Sequence, residues 1–325
     1  MRRLLAAEGQ RGPHISVTSQ PVGDSTIPPV SVDSSDRQQP GLFDDQRAPA
    51  PPPPALPGVA VREVTCRGLL NCGSGADYSF NCYRGCTHAC IYCYARFMQR
   101  FHPHDEPWGR FVDVKINAAE VLAREVRRRP PGSVFTCSAC DGWQSVERHY
   151  RLTRRCCQIL LDAGFRLTIL TKSELVLRDL DILRGRDVSV GVTITTADEN
   201  EAHQWEPGAA SVAARLKVLR EARAAGLKTT LMFGPLLPEI SDDGLGRLFA
   251  LAADVQPDRI WTDVLNNRPR VWESVQRFLR GHRPVLLERY RQVLFDAGAR
   301  RRYVEDVHRR IRQAALAVGL ADKLA

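Results

Sequence analysis

Ten cysteines are spread along this chain of 325 residues, and three of them have the spacing of ligands. Cys86, Cys90 and Cys93 form the pattern C-x3-C-x2-C within Asn81-Cys82-Tyr83-Arg84-Gly85-Cys86-Thr87-His88-Ala89-Cys90-Ile91-Tyr92-Cys93-Tyr94-Ala95-Arg96. Thiolates this close together suit an iron–sulfur cluster or zinc. A four-iron cube takes four ligands, so three cysteines leave one iron open to a substrate or cofactor. Zinc is the alternative, with Cys82 or His88 as a fourth ligand, or with Cys137 and Cys140 closing the site from a distance. Cys137 and Cys140, joined by Cys66, Cys72 or Cys82, are also a candidate ligand set for a second cluster. Cys156 and Cys157 are adjacent inside a helical pattern and read as structural.

The elements around these residues alternate. Short apolar runs near residues 78–81, 133–137, 167–171, 188–195, 228–233 and 259–264 read as strands. Amphipathic stretches near 118–129, 152–163, 177–184, 211–225 and 242–253 read as the helices between them, several with a glycine stop such as Ala163-Gly164 and Ala225-Gly226. Six β-α units imply a parallel sheet with right-handed crossovers. The expectation is an α/β fold: an open six-stranded (β/α)6 partial TIM barrel over 59–280, with C-terminal helices over 281–325. Residues 1–58 hold 11 of the 21 prolines and no periodic apolar pattern, which predicts a disordered proline-rich tail. In such barrels chemistry sits at the carboxyl ends of the strands. The triad follows the first strand, and Cys137 and Cys140 follow the second.

C-x3-C-x-aromatic-C after the first strand of a β/α barrel resembles the radical S-adenosylmethionine superfamily. The longer strings are similar to its branch related to spore photoproduct lyase: Tyr83-Arg84-Gly85-Cys86 with Cys90-Ile91-Tyr92-Cys93-Tyr94-Ala95-Arg96, Pro107-Trp108-Gly109, Val112-Asp113-Val114-Lys115-Ile116-Asn117, Leu170-Thr171-Lys172-Ser173 with Arg178-Asp179-Leu180-Asp181, and Glu206-Pro207-Gly208. The resemblance spans about residues 72–270. It implies a lyase-like enzyme in which Cys86, Cys90 and Cys93 hold a [4Fe–4S] cluster. Its open iron would bind S-adenosylmethionine, one electron would cleave the sulfonium bond, and the resulting 5′-deoxyadenosyl radical would take hydrogen from a substrate. It also implies an electron donor such as flavodoxin or ferredoxin, and a cysteine near Cys137 or Cys140 as hydrogen-atom donor, with Cys137 preferred. Two stretches depart from the branch. Asn81-Cys82-Tyr83 stands where relatives carry Asn-Pro-Tyr, and Cys137-Ser138-Ala139-Cys140-Asp141-Gly142-Trp143-Gln144-Ser145 replaces their loop after the second strand, which leaves the substrate open.

Further cofactor contacts are expected at the barrel mouth. Lys172 ends the third strand and would pair with the cofactor carboxylate. In the fourth strand a period of two puts Ser189, Gly191, Thr193 and Thr195 on one face, a polar lining suited to ribose. Glu206 would accept from the amino or ribose groups, Tyr92 would lie by adenine, and Ser138 follows the second strand.

Composition bounds the rest. Hydrophobic residues are 43% and charged residues 26%, enough for a sizeable core. The net charge of +9 makes nucleic acid a candidate partner, though only five of the 46 basic residues are lysine, an excess that base composition also explains. No membrane span and no secretory leader are read, and the expected location is the cytoplasm. Two other functions compete: a non-catalytic iron–sulfur protein and a zinc-binding, nucleic-acid-associated protein.

Overall fold

The computed structural model describes residues 56–73 and 75–325. Apart from its last three residues, the proline-rich segment drawn over 1–58 lies outside them. The described strands, in chain order, are β1 (Ala60–Val64), β2 (Asn71–Cys72), β3 (Tyr78–Phe80), β4 (Tyr83–Arg84), β5 (Phe111–Lys115), β6 (Ser133–Thr136), β7 (Arg166–Thr171), β8 (Val188–Ile194), β9 (Lys228–Leu236) and β10 (Arg259–Val264).

The principal sheet has seven strands rather than six, in the order β10-β9-β8-β7-β6-β3-β2. From β3 to β10 the strands are parallel and lie side by side in chain order. Each is joined to the next by a helical crossover, the geometry of an open β/α barrel. The seventh strand, β2, is a two-residue antiparallel partner of β3. It was not foreseen because two residues carry no readable period. A second sheet, β1-β5-β4, was also missed. Its middle strand, Phe-Val-Asp-Val-Lys, is short and buried on both faces, so it shows no clear alternation.

Side-chain faces follow from the register. Val134, Leu167, Ile169, Val188, Val190, Val192, Leu231 and Ile260 point to one side of the sheet and are almost fully buried against the helices. Each such side chain contributes about 1.5–3 kcal/mol of burial. Phe135, Thr168, Leu170, Ser189, Met232 and Trp261 point to the other side and are half-buried, which marks the inner face of the open barrel. The hydroxyl face read along the fourth strand is this inner face.

Helices Ala118–Glu125, Leu152–Asp162, Val212–Ala224 and Leu245–Val255 cover the outer side. Beyond β10, helix Val271–His282 was not anticipated, and Leu287–Phe295 and Ala297–Ala317 follow it. The last helix sends Tyr303, Val307, Ile311 and Ala315 into the same core as the sheet. A bridge between Leu324 and Ile260 then covers part of the open edge of β10. No helix among the described residues is long and apolar enough to cross a membrane.

Candidate active site

The loop from Gly85 to Cys93 leaves β4 and ends in the short helix Tyr94–Arg100. Its path depends on two close approaches. Gly85 has φ +79°, and a β-carbon there would stand 2.3 Å from the Phe111 carbonyl. Gly208 packs on the loop backbone, where a β-carbon would meet the Thr87 carbonyl at 2.1 Å. Only glycine fits either place. The loop is then tied to the segment after the fourth barrel strand: Ile91 N donates to Trp205 O (2.9 Å) and Gly208 N to His88 O (3.0 Å). The buried Gln144 fastens its other side, accepting from Thr87 N (2.9 Å) and donating to the Gly85 carbonyl (3.2 Å).

Cys86 and Cys90 are buried and Cys93 nearly so. Burial pushes all three thiols upward, Cys90 to about 12, and the neighbouring thiols add to the rise. The backbone N–H groups of Asp141 and Ala95 work against this rise by favouring the thiolates of Cys86 and Cys93. Two cations face them. Lys172 favours the thiolates of Cys90 and Cys93. Arg96 donates to the Cys90 carbonyl (3.0 Å), while its buried Nε has no partner. Three soft donors and an unsatisfied guanidinium N–H fit a bound anionic iron–sulfur cluster. No three His, Cys, Asp or Glu side chains among the described residues gather around a point as the ligands of one metal ion would. Thiolates that bind different irons of one cube stand further apart than that.

The alternative fourth ligands are engaged elsewhere. Cys82 is fully buried with its sulfur 3.5 Å from Cys156. His88 is buried with Nδ1 3.4 Å from Asp141, and burial holds its imidazole below the ordinary range, outweighing that carboxylate. Asp141 also accepts from Thr171 Oγ1 and from the backbone N–H groups of Lys172 (2.8 Å) and Trp143 (2.9 Å), so it joins the triad loop to β7. The cysteines weighed for a second cluster do not assemble either. Cys72 is exposed beside Arg129 (3.4 Å) and Cys82 faces Cys156; Cys137 lies next to Cys140, and these two thiols gather no third ligand around one point among the described residues.

Glu206 is the centre of a buried network. Its carboxylate pairs with Arg215 Nη2 (2.5 Å), accepts from the hydroxyls of Tyr92 and Thr195, and lies 3.8 Å from Lys172 Nζ. Burial alone would raise its pKa, but the charges of Arg215 and Lys172 and the two hydroxyls outweigh burial and hold it at about 2. Arg215, 1% exposed, also donates to the carbonyls of Ala210 (2.8 Å) and Thr193 (2.9 Å). Glu206 and Tyr92 therefore spend their polar atoms on each other and on neighbouring side chains. The Tyr92 ring stacks near Trp205, with Lys172 Nζ 5.8 Å from its centroid. Sequence reading missed Arg215, although the signal was present: it occupies the i+3 position of the stripe Val212, Leu216, Leu219, Ala222, where an arginine must find a buried partner.

The remaining candidates separate. Ser138 accepts from Asn81 Nδ2 (3.2 Å) and from the Tyr94 hydroxyl through its carbonyl. Ser189 lies near the amino end of β8, bonded to Thr230 (3.0 Å), and so stands at the far end of the barrel from the triad. Thr193 lies nearer the mouth. Cys137 has φ +59°, and its sulfur occupies the space where a β-carbon on Gly142 would stand, 2.4 Å away. Cys140 is half-exposed, 3.7 Å from Asn81 Oδ1, and packs with Cys93 around the Trp108–Phe111 cluster. Of the two thiols, Cys140 is the one beside the triad.

Comparison with known proteins fits this arrangement. The family model for the radical SAM superfamily matches residues 80–252, more than half of the chain, from the end of β3 into the helix before β10. The chain belongs to the radical SAM superfamily. This radical SAM protein is 33% identical over 259 residues to an uncharacterized protein of Mycobacterium tuberculosis, covering 74% of this chain and 72% of that one. It is 34% identical over 169 residues to an uncharacterized protein of Methanocaldococcus jannaschii, covering 52% and 63%. Two solved structures share the fold. One is a point mutant of spore photoproduct lyase, with TM-score 0.61, 14% identity and 80% of each chain covered. The other is spore photoproduct lyase complexed with dinucleoside spore photoproduct, with TM-score 0.55, 18% identity, 69% of this chain and 67% of that one. Membership makes the chain an enzyme of radical SAM chemistry and implies a [4Fe–4S] cluster and S-adenosylmethionine.

Proposed function

We propose that this enzyme reductively cleaves S-adenosylmethionine at a cluster held by Cys86, Cys90 and Cys93, and uses the 5′-deoxyadenosyl radical to take hydrogen from a nucleic-acid substrate in a lyase-like reaction. One observation carries the reading: three largely buried thiols, two of them facing the cations Lys172 and Arg96, on a loop pinned at the carboxyl end of a parallel sheet. The bound cluster supplies the electron that breaks the sulfonium bond, and a low-potential donor such as flavodoxin or ferredoxin supplies it in turn. Arg96 and Lys172 offset the negative charge of the thiolates. Glu206, tied to Arg215, holds Tyr92 and orients the ammonium of Lys172 toward the cofactor carboxylate. The inner face around Thr193 offers the ribose a polar wall.

Anaerobically reconstituted protein should release 5′-deoxyadenosine from S-adenosylmethionine and dithionite, and a loaded protein that yields none would overturn this reading. Lys172→Ala should leave the cluster spectrum unchanged and weaken S-adenosylmethionine roughly 10- to 150-fold, as loss of a charge-assisted contact implies. Unchanged affinity by calorimetric titration would remove Lys172 from the site.

Cys140 serves as the hydrogen-atom donor to the product radical, in preference to the Cys137 favoured by sequence. Its weak S–H bond would break as the product C–H bond forms, and the thiyl radical left behind would be returned to the thiol by one electron from the low-potential donor and a proton; Cys140 lies beside Cys93, whereas Cys137 is closed under Gly142. Cys140→Ala should still form 5′-deoxyadenosine and give aberrant product. Cys137→Ala should keep normal product at reduced thermal stability, and the reverse pattern would move the role to Cys137.

A further inference from the structure

Beside the triad loop, on the side of the smaller sheet, lies a cavity of about 360 Å³. Arg67, Arg84, His102 and Lys115 are in its lining, and no carboxylate is. The nearest acids are already committed. Asp113 is shared between His104 Nε2 (3.2 Å) and Arg84 (3.6 Å), so it offsets only part of the Arg84 charge, and Glu125 accepts from the backbone N–H groups of Leu69 and Leu70. Arg67 is exposed and makes no ion pair among the described residues. Lys115 donates to the Asn81 carbonyl (2.8 Å), which leaves its positive charge uncompensated. Like charges around one cavity repel, and a bound anion relieves that repulsion.

The position of the cavity gives this charge a use. Asn81 and Ala139 form its inner wall. On the other side of that wall Asn81 Oδ1 accepts from Ala139 N (2.7 Å) and lies against the Cys140 thiol (3.7 Å). An anion in the cavity would thus sit one residue away from the thiol that faces the triad.

We infer that this cavity binds a phosphate of the substrate, and that the phosphate of a nucleotide unit held by Arg67, Arg84 and Lys115 anchors the substrate so that its reacting carbon reaches Cys140. The inference rests on the proposed function for the identity of the reacting site, and it names the substrate class as phosphodiester-bearing.

Calorimetric binding to the full-length, cluster-loaded protein tests it without turnover. The probes are the dinucleoside phosphate d(TpT), its uncharged methylphosphonate analogue, and inorganic phosphate. Wild type should bind d(TpT), lose most of that binding with the methylphosphonate, and bind inorganic phosphate more weakly than d(TpT). Arg67→Gln should weaken d(TpT) about tenfold and Arg67→Gln/Arg84→Gln further, as loss of charge-assisted contacts to one phosphate implies. Arg67→Lys should recover part of the loss, and melting temperatures close to wild type would show that the variants are folded. Equal affinity for d(TpT) and the methylphosphonate, or undiminished d(TpT) binding by a folded double variant, would overturn the phosphate site. Inorganic phosphate binding as tightly as d(TpT) would overturn the substrate anchor. Formation of 5′-deoxyadenosine by wild type, measured separately, tests the proposed function, so the two failures are distinct.

Discussion

Replacing Cys86, Cys90 and Cys93 together with alanine should leave a colourless protein that retains its fold and forms no 5′-deoxyadenosine. The fold should survive because the loop is held by backbone and glycine contacts to Gln144, Trp205 and Gly208 rather than by the sulfurs. Reconstituted wild type should carry about four irons per chain, the content of a single cubane cluster, and the triple variant essentially none. Loading should also depend on pH. Burial raises all three thiols, Cys90 to about 12, and ligation requires thiolate. Cluster assembly should therefore release protons and become less favourable as pH falls. Iron analysis with visible absorption follows the first effect, and assembly yield against pH the second. S-adenosylmethionine cleavage that persists in the triple variant would refute the ligand assignment.

Arg215→Met should be the most destabilising single change near the site. It leaves Glu206 charged, 1% exposed and without its principal partner. Breaking a buried pair in this way costs about 3–5 kcal/mol. At roughly 2–4 °C per kcal/mol, that lowers the melting temperature by roughly 6–20 °C. Glu206→Gln in the same background should recover part of the loss, because no buried charge then remains; a double variant whose loss equals the sum of the two single losses would show that the two residues act independently. The pair also sets a pH dependence. Glu206 is held at about 2 in the folded protein and takes an ordinary carboxylate value when unfolded. Its contribution is therefore fully present above about pH 4.5 and is lost as pH falls toward 2. Acid unfolding of Glu206→Gln should lose that share of its pH dependence, and an acid transition identical to wild type would remove Glu206 from the account.

The arginine that anchors this network was the residue least visible in the sequence. Arg215 stands in an alanine- and leucine-rich helix among 46 basic residues, most of them solvated. Its partner lies nine positions earlier, beyond helical range, and only the packing of Val212–Ala224 against β8 brings the two together. The pocket cations were hidden for the same reason. Arg67, Arg84, His102 and Lys115 come from four separate segments, and the three-stranded sheet that gathers them left only a short, doubly buried run as a trace.

What the sequence alone determined is local or periodic. The spacing of Cys86, Cys90 and Cys93 confines three thiols to one short loop whatever surrounds it, and that spacing carried the family. The alternation of apolar runs and amphipathic helices determined the parallel order of β3, β6, β7, β8, β9 and β10, because right-handed crossovers leave few other ways to bury both faces of such strands. Tertiary structure decided what depends on direction. A period of two put Ser189 and Thr193 on one face, but the rise of the strand carries Ser189 toward the end away from the mouth. Cys137 and Cys140 are three residues apart, yet the positive φ of Cys137 turns its sulfur into the core beneath Gly142 and leaves Cys140 beside Cys93. One backbone torsion thus gives the two thiols different surroundings, because a torsion at a loop residue is set by the packing around it and leaves no mark in spacing or composition.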